Sequence, residues 1–305
     1  EKIFPVDGQH RVEGIKAALA IREELQYETI PAMIISHSNT PQGMERSRRI
    51  FSTLNRYAKP VRLGDIIALD EDDAVAIVTR DLLENYPLFM NDRIKATNSK
   101  SIPPGDKMAF TSLMTLYSCH FELYKAFMFE ANISDAKAKD SLKIRPSDST
   151  LDSLKAYITE FWDIFISTFN ELEEYINNHT NTAASEFRSI ETGGNILFRP
   201  VSLYPLVQVI SRIHKKNGIE YRDIFNKFSQ LDRCVSSGLW NKIIWNPNTN
   251  KMIVKNQTAI KLLLLYVYDH ETLSVREKTD LIDRYALLLG INQDDVEPHI
   301  EQYKL

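Results

Sequence analysis

Hydrophobic and polar residues follow two kinds of pattern along this chain, and the change lies near residue 100. A short apolar segment over 2–6 predicts a strand, and apolar positions three or four apart predict a helix over 12–26. The apolar segment 32–35 predicts a buried strand, and helices are predicted over 44–55 and 73–84. The first hundred residues are therefore predicted to form a small α/β domain.

Beyond a Pro-Pro-Gly break at 103–105, helical spacing dominates the rest of the chain. Helices are predicted over 107–130, 151–178, 201–216, 221–230, 257–270, 274–289 and 293–302. The polar residues 135–150 predict a mobile linker, and the Asn-, Thr- and Ser-rich residues 180–195 predict a loop. Residues 240–254 predict a hairpin around an Asn-Pro-Asn-Thr-Asn turn.

These patterns predict an α+β fold with a small domain over 1–100 and a larger, mostly helical domain over 101–305. A chain of 305 residues is long enough for roughly two domains. Because the sequence begins at Glu1 rather than at methionine, we expect part of the first domain to precede it in the intact protein.

Composition and charge restrict the class of protein and the cellular compartment but do not identify a function. The net charge of −4 does not indicate a nucleic-acid-binding protein as a whole, so any such surface must be a local patch. Cys119 and Cys234 have neither metal-ligand nor disulfide spacing, which favours a reducing, cytoplasmic setting. No apolar run reaches the ~18 residues that a membrane span requires. The scattered histidines do not predict a zinc site.

The densest group of chemically useful side chains follows the first predicted strand, in the sequence Val-Asp-Gly-Gln-His-Arg-Val-Glu-Gly over 6–14. A glycine turn at Gly8 before a helix would direct backbone N–H groups and the positive helix end at an anion such as phosphate. Arg11 could clamp that anion with two hydrogen bonds. His10 is a candidate proton carrier, and Asp7 could hold a metal ion or a hydroxyl group. The alternative is a capped turn with a surface ion pair.

A second group is a basic run without any acidic residue between positions 46 and 62. Its members are Arg46, Arg48, Arg49, Arg56, Lys59 and Arg62. Acidic residues follow at Asp65 and over Asp70–Asp73. The run is either a solvated helix face or a surface that contacts the phosphates of a nucleotide or of DNA. Asn55 beside Arg56 is either a helix C-cap or part of a phosphate or metal site.

Other prominent side chains have simpler interpretations. The aromatic residues over 110–129 have helical spacing and predict a core helix. Trp240 and Trp245 are predicted to pack in the interior. Arg199 either forms a surface ion pair or reaches a nucleotide or DNA from the second domain.

Three segments resemble a known family. Asp7-Gly-Gln-His-Arg11 and Phe51-Ser-x-Leu-Asn-Arg-x-Ala-Lys-Pro60 resemble the DGQHR-domain proteins, which include the DndB proteins of DNA sulfur modification (phosphorothioation) systems. Leu197-Phe-Arg-Pro-Val-Ser-Leu203 is similar to a segment in the C-terminal half of DndB-like proteins. The resemblance therefore touches both halves of the chain.

The DGQHR domain is itself similar to the ParB/sulfiredoxin superfamily, in which such a turn binds nucleotide phosphates and a second Asn-x-x-Arg-type element contributes to the phosphate and Mg²⁺ site. The resemblance implies phosphate contacts from Gly8, Gln9, His10 and Arg11, and from Asn55 and Arg56. Gln9 stands where sulfiredoxins have a reactive cysteine, which disfavours sulfinic-acid chemistry. The helical second half differs from typical ParB and disfavours chromosome partitioning.

Three hypotheses follow from the residues and the resemblance. The first is a DNA-binding regulatory or accessory protein of a DNA sulfur modification system, switched by nucleotide, with other proteins of the system and a second copy of the chain as further partners. Its expected DNA contacts are Arg46, Arg48, Arg49, Lys59 and Arg62, together with Lys215 and Lys216 of the helical half.

The second hypothesis is a Mg²⁺-dependent NTPase component of such a system, with ATP or another NTP as substrate and Asp7 or His10 orienting water. The third is a protein-interaction scaffold that leaves the first motif unliganded.

Overall fold

The computed structural model describes residues 8–58, 63–97, 99–189, 191 and 193–305, without the side chains of 10 and 55–58. Its helices are α1 (Gln9–Ile21), α2 (Pro41–Ala58), α3 (Leu63–Leu69), α4 (Ala74–Asn85), α5 (Leu113–Glu130), α6 (Asp135–Ser141), α7 (Asp148–Thr168), α8 (Asn170–Asn177), α9 (Pro200–Asn217), α10 (Tyr221–Phe228), α11 (Gln257–Asp269), α12 (Val275–Leu289) and α13 (Val296–Glu301). The fold is mostly helical, as predicted.

Five short 3-10 helices and two small sheets accompany these α-helices in the described residues. Strand β1 (Ile94–Lys95) pairs in parallel with β2 (Thr111–Ser112), directly before α5. Strand β3 (Trp245–Asn246) pairs antiparallel with β4 (Lys251–Met252), and this hairpin confirms the prediction for 240–254. An α+β description is compatible with this arrangement, although the sheets are small.

The hydrophobic core lies around α5, α7, α9 and α11. Helix α5 packs along α9, and α9 packs along α11. Trp162 and Phe161 of α7 are fully buried and meet edge to face, with ring centres 5.4 Å apart. Trp240 is also fully buried, as predicted. Burial of such large apolar side chains is the main contribution to the stability of this part of the fold.

Local sequence sets the ends of the central helix α9. Pro200 occupies its first turn, where a missing N–H removes no intrahelical hydrogen bond. Gly218 ends the helix in the left-handed conformation, at φ 63°, and its N–H donates to the carbonyl of His214. A glycine adopts this conformation without steric cost.

Helices α3 and α4 belong to the same hydrophobic core as the later helices. Ile67 and Leu82 are each 1% exposed and pack in a cluster that continues to Ile300. Residues on both sides of position 100 thus contribute to one core. The division into domains at residue 100 stays a prediction.

The predicted buried strand over 32–35 is wrong. These residues form no strand, and Met33 and Ile34 are 86% and 83% exposed. A strand needs a partner for its backbone groups, and no described segment pairs with this one. The strand predicted over 2–6 lies outside the described residues.

The predicted linker over 135–150 is also wrong. Its first half forms α6, whose Ala138 is fully buried, and Ser147 caps the start of α7 by accepting from the N–H of Thr150. The Ser141 hydroxyl lies 2.7 Å from the hydroxyl of Tyr124 on α5. The burial of Ala138, the hydroxyl contact of Ser141 and an ion pair between Asp135 and Lys215 of α9 hold α6 in place, so its polar composition does not predict a linker.

Among the described residues, no helix is both long enough and apolar enough to cross a membrane.

A buried histidine lies at the centre of the core. Nε2 of His120 accepts a hydrogen bond from Nε1 of Trp162 at 3.0 Å, so the ring proton resides on Nδ1, which donates to the Thr79 hydroxyl at 2.8 Å. Complete burial lowers the pKa of His120 from 6.5 to about 3. The folded state therefore keeps this histidine neutral.

We predict that His120 makes the protein less stable as the pH is lowered. Below pH 6.5 the unfolded chain binds a proton that folded His120 does not bind, so the free energy of unfolding decreases by about 1.4 kcal/mol for each unit by which the pH is lowered. Urea unfolding at pH 6.5 and pH 5 measures the difference. His120→Gln keeps a donor and an acceptor but cannot titrate, so its decrease over this interval should be about 2 kcal/mol smaller. Equal decreases would contradict this account.

Candidate functional site

A glycine turn is present at the start of α1, where the sequence predicts an anion site. Gly8 directly precedes the helix in the left-handed conformation, at φ 83° and ψ 21°. Its carbonyl accepts the first intrahelical hydrogen bond, from the N–H of Val12 at 2.9 Å. Gly8 itself has no side chain that could cap the helix, and the first turn carries no acidic residue. The positive end of the α1 dipole is therefore not offset by a carboxylate within the first turn of the helix.

The guanidinium of Arg11 folds back over Gly8. A Cβ placed on Gly8 would lie 3.3 Å from Nε and 3.4 Å from Nη2 of Arg11. The positive φ and this close approach both favour glycine at the position. The structure therefore brings Gly8 and Arg11 together at a helix N-terminus, with exposed Gln9 beside them. Their role as phosphate ligands stays a prediction.

Several other predicted site residues lie outside this description. Asp7 precedes the described residues, and the side chain of His10 is not among them. Asn55 and Arg56 belong to the last turn of α2, but their side chains also lie outside the description. The catalytic and second-element roles of these four residues stay predictions.

The described part of the basic run lies on α2, and two of its arginines pair with the acidic segment that follows α3. Nε of Arg48 lies 2.7 Å from Oε1 of Glu71, and Nη2 of Arg49 lies 3.1 Å from Oδ1 of Asp72. Both side chains remain nearly half exposed, at 41% and 48%. Arg46 is exposed on the same helix, whereas Lys59 and Arg62 lie outside the described residues.

Glu71 is the centre of a larger ionic cluster. Its side chain is only 6% exposed, yet it contacts Arg48, Arg80 and Arg145. Nη2 of Arg80 lies 2.9 Å from Oε1, and Nη1 of Arg145 lies 3.4 Å from Oε2. Three arginines from α2, from α4 and from the segment before α7 thus meet at one buried carboxylate.

Arg80 and Arg145 reinforce this cluster through further contacts. Nη1 of Arg80 donates to the carbonyls of Ile67 and Asp70, at 2.9 Å each. Burial lowers the pKa of Arg80, and the charge of Glu71 opposes that effect. Arg145 also lies 3.5 Å from Glu45 of α2. These contacts tie α2 to the core helices.

A hydrogen-bonded turn fixes the acidic segment. Oδ1 of Asp70 accepts from the N–H groups of Asp72 and Asp73, at 2.8 and 3.2 Å. Asp73 caps α4 by accepting from the N–H of Ala76, and its other oxygen accepts from the Tyr117 hydroxyl at 2.6 Å. Burial raises the pKa of Asp73 while these hydrogen bonds oppose the change. The acidic run is therefore a buried structural turn.

The sequence pattern did not identify Arg80, Arg145 or Tyr117 as parts of this cluster. The only signal was the succession of a basic run on α2 and an acidic run over 70–73, which indicates mutual pairing. Arg145 gave no local signal because it lies in the segment that was predicted to be a linker.

Arg199 forms no ion pair with the residues that the structure describes, and its contact with a nucleotide or DNA stays a prediction. Its guanidinium donates to the carbonyl of Gly193, where Gly193 and Gly194 both have positive φ. It therefore holds a glycine loop against the start of α9. Across the part of the chain that the structure describes, no group of three or more His, Cys, Asp or Glu side chains could hold a metal ion.

We predict that Glu71→Gln destabilises the protein by about 3 kcal/mol, because it leaves three arginines around a neutral amide. Asp72→Asn is the matched control, since it removes a carboxylate from the same turn that pairs with one exposed arginine, and it should cost less than about 1 kcal/mol. Urea unfolding of both variants provides the measurement. Similar destabilisation of the two variants would show that Glu71 does not contribute more to stability than Asp72 does.

Comparison with known proteins gives one match, to a family model described as "DndB: DNA-sulfur modification-associated", over residues 1–274. No curated protein and no solved structure matches the chain. The match covers both the Gly8 turn and the helical core, in agreement with the resemblance of the three sequence segments. The chain therefore belongs to the DndB family of DNA-sulfur modification-associated proteins.

Proposed function

We propose that this protein is a DNA-binding regulatory or accessory component of a DNA sulfur modification system, and that it contacts the DNA backbone through α2. Family membership supports the role in such a system. The observation that favours DNA contact is the exposure of Arg46, Arg48 and Arg49 within little more than one turn of the same helix. Guanidinium groups match phosphate oxygens in charge and in geometry.

The carboxylate that pairs with Arg48 does not prevent phosphate contact. If Arg48 turns to a phosphate, Glu71 keeps Arg80 and Arg145 as partners. The exchange therefore leaves no buried carboxylate unpaired, which would otherwise be the main energetic cost. Before DNA binds, the pairing holds the arginines in place, so less side-chain entropy is lost on binding.

The cluster also reduces the negative charge next to α2. Because Arg80 and Arg145 balance Glu71 from the core side, Glu71 does not fully offset Arg48. A chain of net charge −4 can attract DNA only through such a local patch. We also propose that the protein associates with other proteins of the system and with a second copy of the chain.

We predict that Arg46→Ala, Arg48→Ala and Arg49→Ala combined weaken binding to duplex DNA of any sequence. The slope of log affinity against log salt concentration should become shallower by about 0.9 for each phosphate that the variant no longer neutralises. Fluorescence anisotropy with labelled duplex at several salt concentrations measures both quantities.

The matched control for this prediction is Arg284→Ala on α12. Arg284 is 49% exposed and pairs with Asp280 at 2.8 Å, so it resembles Arg48 in exposure and in pairing. The control should bind DNA like the wild type. If the triple variant keeps both affinity and salt slope, α2 is not the DNA-binding surface.

The Gly8 turn supports a second proposed activity, the binding of ATP or another NTP with Mg²⁺. The observation that favours it is the guanidinium of Arg11 held over a glycine at the N-terminus of α1. Asp7 or His10 would orient water if the bound nucleotide is hydrolysed. In a regulatory protein, the same site would instead sense nucleotide without turnover.

We predict that Arg11→Ala weakens nucleotide binding at least tenfold, because it removes a cation that lies over the turn. Arg22→Ala, at the opposite end of α1, should leave the affinity unchanged. Calorimetric titration with ATP and Mg²⁺ gives the affinities, and phosphate release gives turnover. Equal affinity of the wild type and Arg11→Ala would place any nucleotide elsewhere.

A further inference from the structure

A basic groove lies between α5, α9 and α11, on elements separate from the Gly8 turn and from α2. It has a volume of about 490 Å³. Its lining residues are Glu122, Lys125, Phe129, Asp135, Gln208, Ser211, Arg212, Lys215, Lys216 and Lys261. Five of these side chains are cationic and two are carboxylates, although the whole chain is acidic. The groove therefore concentrates positive charge.

Three of the five cations have carboxylate partners. Lys125 lies 2.6 Å from Glu122, and Lys215 lies 2.6 Å from Asp135. Arg212 forms two hydrogen bonds with Glu277, of 2.5 and 2.9 Å. The Lys125 pair lies within α5, whereas the Lys215 pair joins α9 to α6 and the Arg212 pair joins α9 to α12.

The other two cations have no carboxylate partner within the part of the chain that the structure describes. Nζ of Lys216 donates to the carbonyl of Thr272 at 3.2 Å. Lys261 is partly buried on α11, and its pKa is lowered by this burial and by the charges of Arg212 and Lys125. A partly buried ammonium without a counter-ion is unfavourable, and an anion in the groove would relieve that cost.

Glu122 does not supply the missing counter-ion. Its carboxylate accepts from Lys125, from the Tyr204 hydroxyl at 3.0 Å and from Nε2 of Gln208 at 3.1 Å. Three donors thus share its charge. Despite Glu122 and Glu277, the pKa of Lys261 remains below its ordinary value.

We propose that this groove binds the phosphate groups of a small molecule, with Lys261 and Lys216 as the main contacts and Lys125 and Lys215 at the sides. The volume falls in the range of small-molecule sites, roughly 300–1,000 Å³. The burial of Lys261 favours a small ligand over DNA, because a rigid duplex reaches exposed cations more readily than one inside a groove. In this proposal Lys215 and Lys216 contact the ligand of the groove, whereas the sequence predicts that they contact DNA.

The test uses the full chain, with inorganic pyrophosphate as the probe. Lys261→Gln removes the unpaired charge and keeps most of the side-chain length. We expect pyrophosphate to raise the melting temperature of the wild type, and calorimetry to show at least tenfold weaker binding to Lys261→Gln. Without ligand, this variant should melt no lower than the wild type, because the substitution breaks no ion pair.

Two further variants sharpen the test. Lys261→Arg restores the charge and should recover most of the affinity. Lys251→Gln removes an exposed lysine on β4 and should bind pyrophosphate like the wild type. If Lys251→Gln weakened binding as much as Lys261→Gln, the proposal would be overturned, because the result would show non-specific attraction of the anion.

Two other results would also overturn the proposal. One is the absence of pyrophosphate binding to the wild type. The other is reduced duplex-DNA affinity of Lys261→Gln without any pyrophosphate binding, which would make the groove part of the DNA surface. The Arg46, Arg48 and Arg49 variants are expected to keep pyrophosphate affinity. Failure of the α2 proposal and failure of this one are therefore separate outcomes.

Discussion

The position of the basic helix α2 depends on one buried carboxylate. Between residues 41 and 54, no described side chain of α2 is buried, so apolar packing alone does not fix this helix on the core. Glu71 instead links Arg48 of α2 to Arg80 of α4 and to Arg145 before α7. A carboxylate that is 6% exposed must stay paired, and its arginines are held in place by the same requirement.

This arrangement gives the cations of the protein two different roles. On α2, arginines are exposed and paired, with a carboxylate that retains other partners if one arginine leaves. In the groove between α5, α9 and α11, Lys261 is partly buried and has no carboxylate partner among the described residues. The first arrangement suits a large polyanion such as duplex DNA, which contacts the protein surface. The second arrangement suits a small anion that enters a pocket.

Local features of the sequence predicted the structure well, and contacts between distant segments explain most of the failures. The helices and the β3–β4 hairpin follow from spacing and turn residues that lie close together in the chain. The Gly8 turn, with Arg11 three residues further on, was predictable for the same reason. The strand over 32–35 failed because an apolar run does not reveal whether a partner strand exists.

The ionic cluster around Glu71 also depends on contacts between distant segments, which the sequence alone does not predict. Arg145 lies 74 positions from Glu71 in the chain, so no spacing rule connects them. The acidic run over 70–73 indicated a partner for the arginines of α2 but not a buried turn that also caps α4. No motif in the sequence pointed to Lys261. Its proposed role rests on its partial burial and on the lack of a carboxylate partner among the described residues.

Hydrogen–deuterium exchange in the presence and absence of duplex DNA tests the central claim most directly. If α2 presents its arginines to the DNA backbone while Glu71 holds it on the core, DNA should slow exchange over Pro41–Ala58. Exchange over Gln257–Asp269, which carries Lys261 of the separate groove, should stay unchanged. Unchanged exchange over α2, with protection on other helices, would contradict the account.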